Sequence, residues 1–218
     1  MLPYISKQSI RVNKLAIEFS SMIGSIALES NGAVHEINAK QPNQNQKLLQ
    51  VDLPHLLKQQ NVCFKDIDLI IWGIGPGSFT GIRLAASWVQ SFAYGSNIPV
   101  YGVSSLKNIA YKAYKQTNKN QIIVSLDAKL SKFYVGQYVY HENSFNQMCS
   151  DYLADEAPNI DEATLHVGDQ CSINPTPDAN TAIILTNLDI QSGVFKKTSW
   201  KDLSPSYLNH QLYKKKGE

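Results

Sequence analysis

Apolar residues near the start of the chain fall in short runs separated by polar breaks. Leu15-Ala16-Ile17 ends at Glu18, and after Phe19-Ser20-Ser21 a second run follows at Ser25-Ile26-Ala27-Leu28. Asn31-Gly32, a favoured two-residue hairpin turn, then precedes Ala33-Val34-His35-Glu36-Ile37. The pattern predicts an antiparallel meander of three strands. Between Lys47 and Gln60 the spacing changes to that of a helix, carrying Leu48, Leu49, Leu53, Leu56 and Leu57, with Pro54 interrupting or opening it. A strand from Asp68 to Trp72, a helix from Leu84 to Tyr94 and a strand at Val100-Tyr101-Gly102-Val103 complete this part.

The same grammar returns further on. Gln121 to Leu126 reads as a strand ending in an acid, Asp127, and a short connection leads to another strand from Phe133 to Tyr140. Strand, acid, short loop, strand thus occurs at both Leu15 and Ile122, which suggests two related α/β halves. We divide the chain into an extension (1–13), a first half (14–108) completed by a closing segment (201–218), and a second half (109–200).

Between the Leu69–Trp72 run and the Leu84 helix lies Gly73-Ile74-Gly75-Pro76-Gly77-Ser78-Phe79-Thr80-Gly81-Ile82-Arg83, with four glycines and a proline. A strand feeding such a turn brings backbone close to something, because glycine leaves room and tolerates positive φ. The helix start then presents free N–H groups. Two phosphate motifs fail: no lysine stands between Ile67 and Tyr101 for a P-loop, and Ser78 and Thr80 occupy the last glycine position of a dinucleotide fingerprint. In the following helix Ile82, Leu84, Ala85, Ala86, Trp88, Val89, Phe92 and Ala93 cover an apolar arc of roughly 200° at ~3.6 residues per turn. One packed face needs only about 100°. The helix is therefore either sandwiched within its own domain or meets another protein along the edge that holds Leu84 and Trp88.

Net charge is only +2, which gives no strong basic field for autonomous nucleic-acid binding. The cysteines Cys63, Cys149 and Cys171 are far apart, as expected of unbridged thiols in a reducing compartment, and Cys63 reads as a small core residue. No apolar run approaches the ~20 residues of a membrane span, and the start lacks a secretory apolar region; a cytoplasmic protein is expected. The histidines His35, His55, His141, His166 and His210 are scattered, so no helical metal-ligand pair exists and each reads as a surface or turn residue. Ser78 is not in a nucleophile elbow. No catalytic and no metal-binding residue is assigned.

The string Gly75-Pro76-Gly77-Ser78-Phe79-Thr80-Gly81-Ile82-Arg83 resembles the signature of the TsaB (YeaZ) family. Lys14 to Glu18 resembles that family's opening strand, with Glu18 where Asp is usual. Leu126-Asp127-Ala128-Lys129 with Phe133-Tyr134 resembles its Asp-Ala-Arg…Val-Tyr segment, and Ser204 to Leu208 its closing segment, with Asn209 for Arg. Asn45 takes the place of a usual histidine.

The resemblance implies an actin-like, ribonuclease-H-like α/β fold. It also implies a non-catalytic scaffold for TsaD, with TsaE, in making threonylcarbamoyladenosine in tRNA. On this basis the partner interface comprises Gly75 to Gly81, Arg83, Leu84 and Trp88, together with Leu48 and Leu49 of the preceding helix. A homodimer is expected when the chain is isolated. tRNA is contacted only through the complex, the C-terminal Lys214-Lys215-Lys216 being a solvated tail. No cofactor is expected on the chain alone, and ATP or ADP only at a composite site with partners. Glu18 and Asp127 stand where actin-like folds hold nucleotide, but neither following loop has a glycine, so both read as vestigial or structural. A small actin-like phosphotransferase and a peptidase are the alternatives.

Overall fold

The computed structural model describes residues 12–161 and 163–206. The meander forms as β1 (Lys14–Glu18), β2 (Ser25–Ser30) and β3 (Ala33–Asn38), with Asn31 and Gly32 both at positive φ in the tight turn. A helical stretch follows, in which α1 (Asn45–Lys47) passes through a π-helical turn (Leu48–Asp52) into α2 (Leu53–Gln59). Pro54 has no N–H and its ring crowds the carbonyl one turn back. The wider turn, in which the Leu53 N–H reaches Leu48 O, lets the helix continue past it.

β4 (Leu69–Gly75), α3 (Phe79–Ser96) and β5 (Val100–Ser104) complete the first sheet, ordered β3-β2-β1-β4-β5. β1 is antiparallel to β2 and parallel to β4. After α4 (Ser105–Thr117), the second sheet is built from β6 (Gln121–Lys129), β7 (Lys132–His141), β8 (Ser144–Ala154) and β9 (Leu165–Gly168), ordered β8-β7-β6-β9. β6 is likewise antiparallel to β7 and parallel to β9. Each sheet is thus an antiparallel meander with parallel pairing on its far side, the repeated α/β arrangement of an actin-like, ribonuclease-H-like fold.

Alternation along the strands sets the layers. Leu15, Ile17, Ile26, Leu28, Ile70 and Trp72 face one core, against the leucines of α2 and the buried line of α3. Ala16, Ala27, Leu69 and Ile71 face the other way, against α4, α5 (Ala179–Gln191) and, beyond them, Ile122, Val124, Tyr138 and Val167 of the second sheet. The small side chains of Ala16 and Ala27 let α5 pack closely on the first sheet, and α5 carries apolar residues on nearly every side because both layers cover it.

Several boundaries differ from expectation. β4 continues to Gly75, which pairs with Ser104 past a register shift after Gly73 and sits at a positive φ that glycine tolerates. α3 starts five residues before Leu84, capped by Ser78, whose Oγ accepts from Gly81 N at 3.3 Å. Asp127 lies inside β6, two residues short of its end, and a hairpin of Leu130-Ser131 leads into β7. Cys63 is exposed rather than in the core. The division at 108/109 falls within α4, where Asn108 and Ile109 are both buried.

From Thr198 to Ser206, the end of the second half and the described start of the closing segment, the chain returns to the first sheet. Thr198 bridges Val100, Trp200 meets Tyr94 edge-on at 4.7 Å, and Ser206 N donates to Ile74 O at 2.8 Å. Tyr207, Leu208, Asn209, His210, the three C-terminal lysines and most of the extension lie outside the described residues. Among the described residues no helix is long and apolar enough to cross a membrane.

Candidate partner interface around helix α3

The glycine-rich run makes its close approaches inside the chain. A Cβ on Gly81 would stand 2.0 Å from Phe19 O, and one on Gly77 would stand 2.3 Å from Ser20 O. Ser78 N donates to that same Ser20 oxygen at 2.7 Å. What the glycines admit is therefore the connection between β1 and β2, which lies against the first turn of α3. Backbone approach was expected from the sequence; its object is the chain's own backbone.

This packing sorts the expected interface residues. Gly75, Pro76 and Gly81 are buried, so they shape the segment without forming its surface. Leu48 (1% exposed) and Leu49 (5%) are corrected from interface to core, because the π-helical turn directs both into the layer between α2 and the first sheet. Gly77, Ser78, Phe79, Thr80 and Arg83 are exposed. Phe79 is 57% exposed, and the Arg83 guanidinium carbon lies 3.6 Å above its ring centroid, an arrangement stabilised by the ring quadrupole.

Leu84 and Trp88 occupy an intermediate position. Both are half-buried along the flank of α3 that faces Phe64. Trp88 stacks on Phe92 with centroids 4.8 Å apart and planes 8° apart, and Phe64 lies 6.4 Å from Trp88 and 4.5 Å from Phe92. The wide apolar arc thus splits in two. Ile82, Ala85, Val89 and Ala93 are core, while the Leu84–Trp88–Phe92 edge is an aromatic rim open to solvent on one side. Beside the rim runs a shallow groove of about 520 Å³ lined by Pro54, Leu57, Val62, Cys63 and Phe64.

The two acids have unlike surroundings. Glu18 has no exposed surface; Oε1 accepts from Ser20 N at 2.7 Å and Oε2 from Ser105 Oγ at 3.3 Å. Burial pushes its carboxyl above the usual range against the lowering effect of these bonds. Asp127 is exposed, and its bonds from Lys129 Nζ (2.8 Å) and Lys129 N (2.7 Å) hold it below the usual range. The two share no hydrogen-bonding partner among those described.

Sequence reasoning missed a polar cluster between the sheets. Asp151 on β8 accepts from Ser104 Oγ and Tyr138 OH, both at 2.5 Å, and from Gln147 Nε2 at 2.7 Å, while burial raises its pKa. Ser104 also caps α4, so neighbouring serines at one helix start reach opposite layers, Ser104 to Asp151 and Ser105 to Glu18. The only sequence signal was an acid within a strand-like run. His166, expected on the surface or in a turn, lies half-buried on β9, with Nε2 2.6 Å from Ser125 Oγ. No group of three metal-ligating side chains occurs among the described residues.

Comparison with known proteins places this geometry. The model of the family described as "TsaD: tRNA N6-adenosine threonylcarbamoyltransferase" matches residues 36–175. A protein named tRNA threonylcarbamoyladenosine biosynthesis protein TsaB from Buchnera aphidicola subsp. Acyrthosiphon pisum is 31% identical over 130 residues, 60% of this chain and 59% of that protein. The protein of the same name from Escherichia coli K12 is 29% identical over 129 residues, 59% of this chain and 56% of that one. The matched stretch therefore spans less than two thirds of these relatives. The structure described as YeaZ from Pseudomonas aeruginosa superposes with a TM-score of 0.77 at 24% identity, covering 88% of this chain and 99% of that one. A second Pseudomonas aeruginosa structure, of an uncharacterized protein with similarity to peptidase YEAZ, gives 0.80 at 24% identity, covering 90% and 99%. Matched in sequence by these relatives and by the TsaD model, and alike in fold to the YeaZ structures over 88–90% of its length, the chain belongs to the TsaB (YeaZ) family.

Proposed function

We propose that this chain is a non-catalytic scaffold in forming threonylcarbamoyladenosine on tRNA. It binds TsaD, together with TsaE, through the face that runs from Gly77 to Arg83 and along the Leu84–Trp88 rim. One observation carries the reading: the signature segment uses Gly77 and Gly81 to admit the chain's own backbone, yet projects Phe79, Thr80 and Arg83 outward. A segment built this way offers contact rather than chemistry. Isolated from TsaD, the same rim pairs with a second copy of the chain. Transfer chemistry stays with TsaD, in the cytoplasm, and tRNA meets the assembled complex.

The residues present do not fit a nucleotide held by this chain alone. The acid at the end of β1 is sealed, and the space beside Gly77 and Gly81 is filled by Ser20 and Phe19. ATP or ADP therefore belongs at a composite site with partners. The peptidase alternative gains nothing from the Ser125–His166 pair, because Ser125 is 2% exposed and out of reach of a peptide carbonyl.

Reconstitution tests the proposal. Threonylcarbamoyl transfer from threonylcarbamoyl-AMP to tRNA by TsaD and TsaE should require the chain, and the chain alone should transfer nothing. Steady ATP hydrolysis by the isolated chain that is lost in Glu18→Ala or Asp127→Ala would replace the scaffold with an enzyme.

A further inference from the structure

Glu18 is the most deeply buried acid described, and the family resemblance set it beside a nucleotide cleft. Its contacts say something else. β1 and β4 run parallel with Ile17 opposite Trp72, so the next residues along, Glu18 and Gly73, lie side by side. A Cβ on Gly73 would stand 2.0 Å from Glu18 Oε2, 2.4 Å from Cδ and 2.6 Å from Oε1. The carboxyl thus occupies the volume that any other residue at position 73 would fill.

From there a chain of bonds runs to the surface. Glu18 Oε1 accepts from Ser20 N at 2.7 Å, Ser20 O accepts from Ser78 N at 2.7 Å, and Ser78 Oγ and O accept from Gly81 N (3.3 Å) and Ile82 N (2.9 Å). The buried carboxyl therefore fixes the β1–β2 connection, and that connection fixes the first turn of α3, which carries Phe79 and Arg83.

We propose that Glu18 is a positioning residue that sets the α3 N-terminal face through Ser20, and that its length is matched to the absent side chain of Gly73. What that face is for rests on the function proposed above; the positioning role itself does not. The matching has a reciprocal solution. Aspartate at 18 would still accept from Ser20 N in an Asx-type turn, while withdrawing its oxygens by about one C–C bond, ~1.5 Å, from position 73. A methyl at 73 then gains the room it lacks beside glutamate.

Amide hydrogen exchange on the full chain, read residue by residue, tests this in Glu18→Gln, Glu18→Ala, Gly73→Ala and the double variant Glu18→Asp/Gly73→Ala. Glu18→Gln keeps an acceptor for Ser20 N and should leave exchange at Ser20, Ser78 and Gly81 within about twofold of the wild type, the change expected when no hydrogen bond is lost. Glu18→Ala should speed exchange at these amides by about tenfold, the equivalent of one lost buried bond. Val124 and Val135 in the second sheet should be unchanged, since a local opening leaves distant units protected. Gly73→Ala should be the most damaged single variant, and the double variant should exchange more slowly at Ser78 than Gly73→Ala. If Gly73→Ala does not fold, recovery of a folded double variant is the same result.

Acceleration spread evenly over both sheets in Glu18→Ala would make the residue merely structural and overturn the inference. So would a double variant no better than Gly73→Ala. Binding to purified TsaD, measured on the same variants, separates the two claims. Local exchange that rises without weakening TsaD binding supports positioning while refuting the interface.

Discussion

Replacing Trp88 by alanine removes the indole that caps the aromatic rim. A tryptophan side chain buries ~150–250 Å² when fully covered. Trp88 is half-buried, so about 100 Å² of contact is lost, which at ~25 cal/mol per Å² is about 2.5 kcal/mol. Loss of the stack on Phe92 at 4.8 Å adds ~1 kcal/mol. For a chain of this size each kcal/mol lowers Tm by ~2–4 °C, so Trp88→Ala should stay folded with Tm reduced by roughly 7–14 °C on the same scale. Trp88→Asp should behave similarly, because the open side of the rim keeps its carboxylate hydrated, and should also lose association, where burying an unpaired carboxylate costs several kcal/mol. Circular dichroism melts with light scattering measure both. A fall in Tm below ~2 °C, less than one kcal/mol on this scale, would mean that the ring contacts contribute little. An unfolded Trp88→Ala would make the rim part of the core.

Leu48→Ala should cost ~2–5 kcal/mol as a core truncation, whereas Val51→Ala, at a position 44% exposed in the same helical turn, should shift stability by less than ~0.5 kcal/mol; equal effects would contradict the assignment of Leu48 to the core. Glu18 and Asp151 both hold their protons more tightly folded than unfolded. Their contribution is therefore whole below the unfolded carboxyl pKa of about 4 and is lost as pH rises through the folded values. Asp151→Asn should flatten this decline in Tm above about pH 4, and a Tm–pH curve parallel to the wild type would refute it.

The strands β1 to β7 were legible because their apolar residues come in runs and alternations that suit a pleated, half-buried backbone, whereas β8, rich in polar residues, and the four-residue β9 carry no such run and were missed. The repeat of strand, acid, strand at Leu15 and Ile122 reads correctly as two related sheets. The course of the chain from Gly73 to Gly81 was not legible in detail, since glycine carries no periodicity: Gly73 to Gly75 extend β4, and Ser78 caps α3. The signature string identified the family but hid the inward use of its glycines, which depends on Phe19 and Ser20 far away in sequence. Apolar spacing likewise could not divide the α3 arc into a buried line and an open rim, because Phe64, which covers the rim in part, comes from a separate turn. The burial of Glu18 and the Asp151 cluster depend on contacts between distant elements, and no local pattern announces them.

The most direct test of the interface is a light-scattering titration of the chain with purified TsaD, run for the wild type and for Phe79→Asp. Phe79 is 57% exposed, so the substitution should leave Tm within about 2 °C of the wild type. The account predicts a defined complex for the wild type and an affinity at least ~30-fold weaker for Phe79→Asp, the ~2 kcal/mol of a central aromatic contact. No complex with TsaD, or one of unchanged affinity in Phe79→Asp, would contradict it.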